Sequence, residues 1–168
     1  GQYRKNNKTP YWHHLRDVVN NLEMMGITDE SILCAGWLHD SIEDTSFDFD
    51  DVSKYFDKKT AQIVSDVTKE TRLPKNPQEK NYLKQLSNSS WQAKVVKLGD
   101  ILANISDLKN SELTKKQKII QVKYKIKYLN AIKSGIMTNK SKIPNLSQTE
   151  NLLNLVLDQY GQRKITLF

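Results

Sequence analysis

Apolar positions along this chain recur mostly three and four residues apart, and no two alternating segments joined by a tight turn stand out. That pattern predicts helices throughout. Thr9-Pro10 offers a cap and a first-turn proline to a first helix, whose buried stripe is Leu15, Val18, Val19 and Leu22 and which Gly26 ends. Thr28-Asp29 opens a second helix carrying Ile32, Leu33, Ala35, Gly36 and Leu38, and it delivers His39-Asp40 before the acidic loop residues from Thr45 to Asp51. Shorter helices are expected over roughly 49–57 and 59–68. Leu73-Pro74-Lys75-Asn76-Pro77 reads as a turn, because each proline biases its predecessor away from helix, and a helix near 78–87 should follow.

Ser90 can cap the next helix. Ala93, Val95, Val96, Leu98, Ile101, Leu102 and Ile105 make that helix apolar enough to be central and deeply buried. Two more helices, about 114–134 ending at Gly135 and 147–160 ending at Gly161, complete the set. No repeat and no linker divides the 168 residues. The expected fold is all-α, a single compact multi-helix bundle over 1–168.

With 38% hydrophobic and 27% charged residues, the chain fits neither a disordered nor a fibrous class. No apolar run approaches the ~20 residues needed to span a bilayer, and no secretory leader precedes the first motif. A cytoplasmic location is therefore expected, and the single Cys34, set in an apolar stretch, reads as a core thiol. The net charge of +7 favours a polyanionic partner, but much of the excess (Lys115, Lys116, Lys118, Lys123, Lys125, Lys127, Lys133) sits on one helix and reads first as a solvated face. Nucleic acid is the disfavoured partner. Trp12, Trp37 and Trp91 are expected in the core.

His39-Asp40 closes a buried helical stretch, where ionisable groups are costly unless they are paired or hold an ion. Glu43 and Asp44 follow each at a spacing of four, clustering three carboxylates with an imidazole on neighbouring helical faces. Asp100 interrupts an otherwise apolar helix, with Asn104 and Asp107 on the same face. A divalent cation would compensate such a carboxylate directly. A second imidazole is available at the start of the first helix, where chemistry alone does not choose between His13 and His14.

These residues resemble the pattern of the HD metal-dependent phosphohydrolases: a distant His, a His-Asp pair and a later Asp. Tyr3-Arg4-Lys5 through Thr9-Pro10-Tyr11-Trp12-His13-His14, then Leu38-His39-Asp40-Ser41-Ile42-Glu43-Asp44-Thr45, then Val96-Lys97-Leu98-Gly99-Asp100 with Asn104, look like the hydrolase domain of RelA/SpoT proteins. Leu73-Pro74-Lys75, with Asn88-Ser89-Ser90 to Asp107-Leu108, is most similar to that family's small stand-alone alarmone hydrolases. The resemblance implies metal ligation by His14, His39, Asp40 and Asp100, with His14 preferred over His13 by its distance from Pro10. It implies assistance to the attacking water from Glu43 and Asp44, and nucleotide contacts from Arg4, Lys5 and Asn104.

Mn²⁺ is the implied cofactor, and the mixed nitrogen and oxygen donors suit it. The implied reaction is hydrolysis of ppGpp or pppGpp to GDP or GTP with release of the 3′-pyrophosphate. Removal of the 2′-phosphate of NADPH is the alternative enzyme reading, and a basic nucleic-acid-binding or alarmone-sensing module the alternatives without turnover. Homo-oligomerisation is left open, and no synthetase domain is evident. The chain departs from the family pattern at Leu15, where proline is usual, and at Gly99, where alanine is usual; neither change removes a ligand. The pattern ordinarily has a helix ahead of its Gly-Gln-x-Arg-Lys segment, so with Gly1-Gln2 first this helix is expected to be missing.

Overall fold

The computed structural model describes Tyr3, residues 9–72 and residues 74–167. Its first helix, α1 (Trp12–Met24), begins later than Thr9-Pro10 suggests. Tyr11 holds the N-cap position without a side-chain cap, while the carbonyls of Pro10 and Tyr11 accept from the N–H groups of His13 and His14 at 3.2 and 2.9 Å. Pro10 itself pairs with Tyr3 in an isolated antiparallel bridge, which keeps it outside the helix. Gly26 ends α1 as expected. Its φ of +82° is a left-handed conformation in which a side chain is strained, and Pro144 Cβ would lie 3.0 Å from an added Cβ.

Asp29 caps α2 (Glu30–Leu38) by accepting from Ile32 N at 3.3 Å. The helix does not run through the His-Asp pair. His39 and Asp40 form a turn after Leu38, and Ser41–Asp44 make a further short helical turn, α3, in which the Asp44 N–H reaches the Asp40 carbonyl at 2.9 Å. Then come α4 (Phe49–Tyr55), capped by Asp48, and α5 (Lys58–Val67), capped by Asp57. α6 (Lys75–Asn88) begins inside the segment expected to be a turn. Pro77 is tolerated there because an N–H in the first helical turn has no intrahelical acceptor to lose.

The central helix is α7 (Trp91–Asp107), with Ser90 accepting from Ala93 N as its cap. Every residue from Ala93 to Ala103 is buried, because α7 packs against α1, α2, α5, α8 and α9. Each of its fully enclosed Leu and Ile side chains contributes roughly 1.5–3 kcal/mol. α8 (Lys115–Thr138) passes straight through Gly135 instead of ending there. That glycine is a point of close approach: an added Cβ would run into the Lys94 side chain at Cδ. α9 (Leu146–Gln159) stops just before Gly161, as expected, and the tail beyond it returns Ile165 and Leu167 to the core.

The tryptophan and cysteine expectations are corrected. Trp12 is 50% exposed and Trp37 42%, and Trp91 is only partly buried against the core. Trp12 lies across α1 from the buried His14 and Val18, stacked on the His13 ring and within cation–π reach of the Arg16 guanidinium. Cys34 is half-buried, and burial pushes its thiol up. No helix among the described residues is long and apolar enough to cross a membrane.

Candidate active site

Three elements that pack on one another carry the site. His14 sits in the first turn of α1, His39 at the C-terminal end of α2 and Asp100 in the middle of α7, and these helices are mutual neighbours. α1 and α7 come close at Gly99, whose carbonyl accepts from Asn21 Nδ2 at 3.0 Å. A Cβ at that position would lie 3.3 Å from the Val18 carbonyl, so glycine accommodates the approach that brings His14 to Asp100.

The result is a buried group in which His14, His39 and Asp100 each offer one ligand atom, all within 4.8 Å of one another. Asp100 Oδ1 lies 3.3 Å from His14 Nε2 and 3.7 Å from His39 Nε2. Asp40 stands at the open side, its Oδ2 being 3.0 Å from His39 Nε2 and 3.9 Å from His14 Nε2. Tyr11 donates its hydroxyl to that same Oδ2. His39 Nδ1 lies 2.9 Å from the Gly36 carbonyl, which turns Nε2 toward the carboxylates. Among the described residues, His39 Nε2 is buried without a hydrogen-bond partner, since Asp40 is near it but not aligned. An imidazole nitrogen directed at two carboxylates without an aligned hydrogen bond matches the donor set of a divalent cation. His14, His39, Asp40 and Asp100 could hold such an ion.

The electrostatics agree with charged groups held in place. Burial opposes ionisation of Asp100, but Lys97 and then Lys125 outweigh it and hold the carboxyl well below its usual range. Lys97 Nζ is 2.8 Å from Asp100 Oδ2, and Lys125 Nζ is 3.9 Å from the same atom. Burial likewise disfavours charged His39, and the carboxylates of Asp40 and Asp100 overcome it, raising its pKa. Asp40 is lowered, burial being outweighed by His39.

Glu43 is half-buried, and its Oε2 accepts from the Lys69 backbone N–H at 3.0 Å. Burial, with the charge of Asp40, raises its pKa. Asp44 is exposed, and burial together with Asp40 raises it too. The two acids thus do not stack on one continuous helix with the His-Asp pair; the break after Leu38 turns Glu43 toward α5. Asn104 donates through Nδ2 to the Asp100 carbonyl at 3.0 Å and to Asp100 Oδ1. It also lines a cleft of about 600 Å³ together with His14, Tyr11, Tyr3, Gln121 and Lys125. Arg4 and Lys5 lie outside the described residues.

Sequence reasoning missed three participants. Lys97 was readable as a lysine in an apolar run three residues ahead of Asp100. Tyr11 stood inside the quoted motif, but nothing in the spacing joined it to Asp40. Lys125 was indistinguishable from the other lysines of α8, most of which are solvent-facing. Tyr124 and Tyr128 of α8 do not line the cleft: Tyr124 is exposed beside Lys127, and Tyr128 turns inward to Glu79.

A family model described as the HD domain matches residues 1–127, a span that contains all of these site residues. The chain belongs to the HD-domain family. It is 39% identical over 103 residues to the Xenopus tropicalis guanosine-3′,5′-bis(diphosphate) 3′-pyrophosphohydrolase MESH1, a match covering 61% of this chain and 58% of that protein. To human MESH1 it is 40% identical over 101 residues, covering 60% and 56%. These matches thus span less than two thirds of the relatives' length. Among solved structures, one described as "a metazoan ortholog of SpoT" that "hydrolyzes ppGpp and plays a role in starvation responses" superposes with a TM-score of 0.80. The identity is 29%, over 96% of this chain and 88% of that one. This HD domain therefore shares its helical bundle with that structure over nearly its whole length.

Proposed function

We propose that this chain hydrolyses ppGpp and pppGpp, releasing the 3′-pyrophosphate to give GDP or GTP. The observation that carries the reading is the convergence of His14, His39 and Asp100, with Asp40 beside them, next to a cleft of about 600 Å³ that His14 itself lines and that is large enough for a nucleotide. The names of the relatives supply the guanosine substrate and the 3′ position. A domain family alone would not choose among phosphate esters.

In this reading His14, His39, Asp40 and Asp100 hold a divalent cation, and Mn²⁺ is the ion we assign, since two imidazoles and two carboxylates suit it. When bound, that ion supplies a Lewis acid toward phosphate oxygen and lowers the pKa of water. The remaining work belongs to side chains. Glu43, anchored by the Lys69 N–H and of raised pKa, takes the proton from the attacking water, and Asp44 orients that water from the exposed side. Oxygen from water forms the new bond to the proximal phosphorus of the 3′-pyrophosphate. The bond from that phosphorus to the ribose 3′ oxygen breaks, the 3′ oxygen takes up a proton and pyrophosphate leaves. Asn104 and Lys125 face the nucleotide within the cleft, Lys125 as a cation for phosphate. Arg4 and Lys5 join them by the family pattern.

The test incubates purified protein with ppGpp, pppGpp and NADPH, with and without Mn²⁺. Pyrophosphate and GDP or GTP are expected, only with the ion. Phosphate release from NADPH alone would replace this reading with a 2′-phosphatase.

A further inference from the structure

Behind the candidate metal centre lies a buried cation that the proposed reaction does not use. Lys97 is 8% exposed on α7, and its Nζ makes its close ion pair, at 2.8 Å, with Asp100 Oδ2. The other oxygen, Oδ1, faces both histidines. Two aromatic rings enclose the ammonium: Nζ stands 5.3 Å from the centre of Tyr82 and 5.4 Å from that of Tyr128, within cation–π range.

The rings are fixed in turn. They meet edge to face at 5.4 Å. The Tyr82 hydroxyl donates to the Val67 carbonyl at 2.6 Å, and the Tyr128 hydroxyl donates to Glu79 Oε2 at 3.1 Å. Glu79 Oε2 also accepts from Lys69 Nζ at 2.9 Å, and the Lys69 backbone N–H is the group that holds Glu43. A chain of direct contacts through α5, α6, α7 and α8 thus joins the orientation of Asp100 to that of Glu43.

We propose that Lys97 is a positioning residue of the metal centre: by occupying Asp100 Oδ2 it keeps Oδ1 alone turned to His14 and His39. This rests on the metal-dependent reading above. A carboxylate is free to rotate about its last bond and can offer one oxygen or both to a cation. With Oδ2 held by an ammonium enclosed between two aromatic rings, Asp100 presents a single donor, and room beside the ion is kept for water and phosphate. The ammonium meets Oδ2 while the imidazoles meet Oδ1, so it need not leave when a divalent ion binds. Groups of this kind behind a metal ligand commonly change metal affinity or activity by about 10–100-fold when removed.

The test is a direct Mn²⁺ titration, without substrate, of the wild-type protein, Lys97→Met and Lys97→Arg. Lys97→Met keeps the apolar stem between the rings and removes the charge; it is expected to bind Mn²⁺ about 10–100-fold more weakly, with Lys97→Arg recovering part of the loss. A purely structural ion pair would lower the melting temperature and leave Mn²⁺ affinity where it was. Wild-type affinity in a folded Lys97→Met protein overturns the inference and leaves the parent reading standing, whereas a wild type that binds no Mn²⁺ overturns both. Should Lys97→Met fail to fold, a crystal structure of the wild-type protein with Mn²⁺ decides. Coordination through Oδ1 with Lys97 still on Oδ2 is the expected result, and coordination through both oxygens with Lys97 displaced overturns the assignment.

Discussion

Glu43 Oε2 accepts a 3.0 Å hydrogen bond from the Lys69 backbone N–H, tying the short helical turn after the His-Asp pair to the end of α5. Because burial and the neighbouring Asp40 raise the Glu43 pKa above its ordinary 4.5, its carboxylate is a better proton acceptor than an exposed glutamate. Glu43→Gln preserves an oxygen for the Lys69 N–H and removes the basic site. The expected outcome is a fall in kcat of about 10²–10⁴-fold with Mn²⁺ affinity nearly unchanged, read by steady-state kinetics beside a metal titration. A raised carboxyl pKa also means that the charged form costs folding stability above that pKa, so Glu43→Gln should melt no lower than wild type at pH 7.

Lys125 is the lysine of α8 that lines the cleft, and it stands 3.9 Å from Asp100 Oδ2. Lys125→Met should raise KM for ppGpp about tenfold or more, as expected for a lost hydrogen bond to a charged group worth roughly 1.5–3 kcal/mol. The dependence of KM on salt should weaken at the same time. An exposed neighbour on the same helix, Lys123→Met, should leave both unchanged.

Asp57 caps α5, accepting from the Thr60 N–H at 2.8 Å and the Thr60 hydroxyl at 2.7 Å. Asp57→Ala should destabilise the protein by about 1 kcal/mol in urea denaturation. The Thr60 hydrogen bonds hold the Asp57 pKa below its ordinary 3.8, so its contribution is full above 3.8 and is lost as pH falls through the lower folded value. Between pH 5 and 8 the difference between Asp57→Ala and wild type should therefore stay constant.

Gly26 has φ +82°, and an added Cβ would also meet Pro144 at 3.0 Å. Gly26→Ala should cost about 1–2 kcal/mol of stability from the left-handed conformation alone. Its kcat should match that of wild type, since the turn between α1 and α2 lies at the far end of α1 from His14.

The all-α architecture and the core of α7 were legible because the apolar positions between Ala93 and Ile105 fall on nearly every face of a helix and can only be satisfied by neighbours on every side, and the one acid among them demanded a partner. Caps that bond their own helix, Asp29 and Ser90, were legible for the same local reason. Gly135 and Pro77 were misread because tertiary packing decided them: Lys94 fills the space a side chain at 135 would take, and the register of α6 places Pro77 in the first turn. The exposed Trp12 and Trp37 show the limit of treating aromatic residues as core without knowing which face of the helix they occupy. At the site, the His-Asp pair and Asp100 announced themselves as charges in apolar surroundings. Tyr11 and Lys125 reach them across helices, by contacts that spacing along the chain does not encode, whereas Lys97 pairs with Asp100 from one turn earlier on the same helix, at a spacing that was readable.

Joint action of His14, His39, Asp40 and Asp100 on one divalent ion is the proposed basis of ppGpp cleavage. It is tested most directly by stripping the protein with a chelator, adding ppGpp and restoring Mn²⁺, for the wild type and for Asp40→Ala. No turnover is expected in the stripped wild type, GDP and pyrophosphate are expected on return of Mn²⁺, and Asp40→Ala should show no recovery despite retained helical content. Turnover that survives chelation, or that Asp40→Ala keeps, would contradict it.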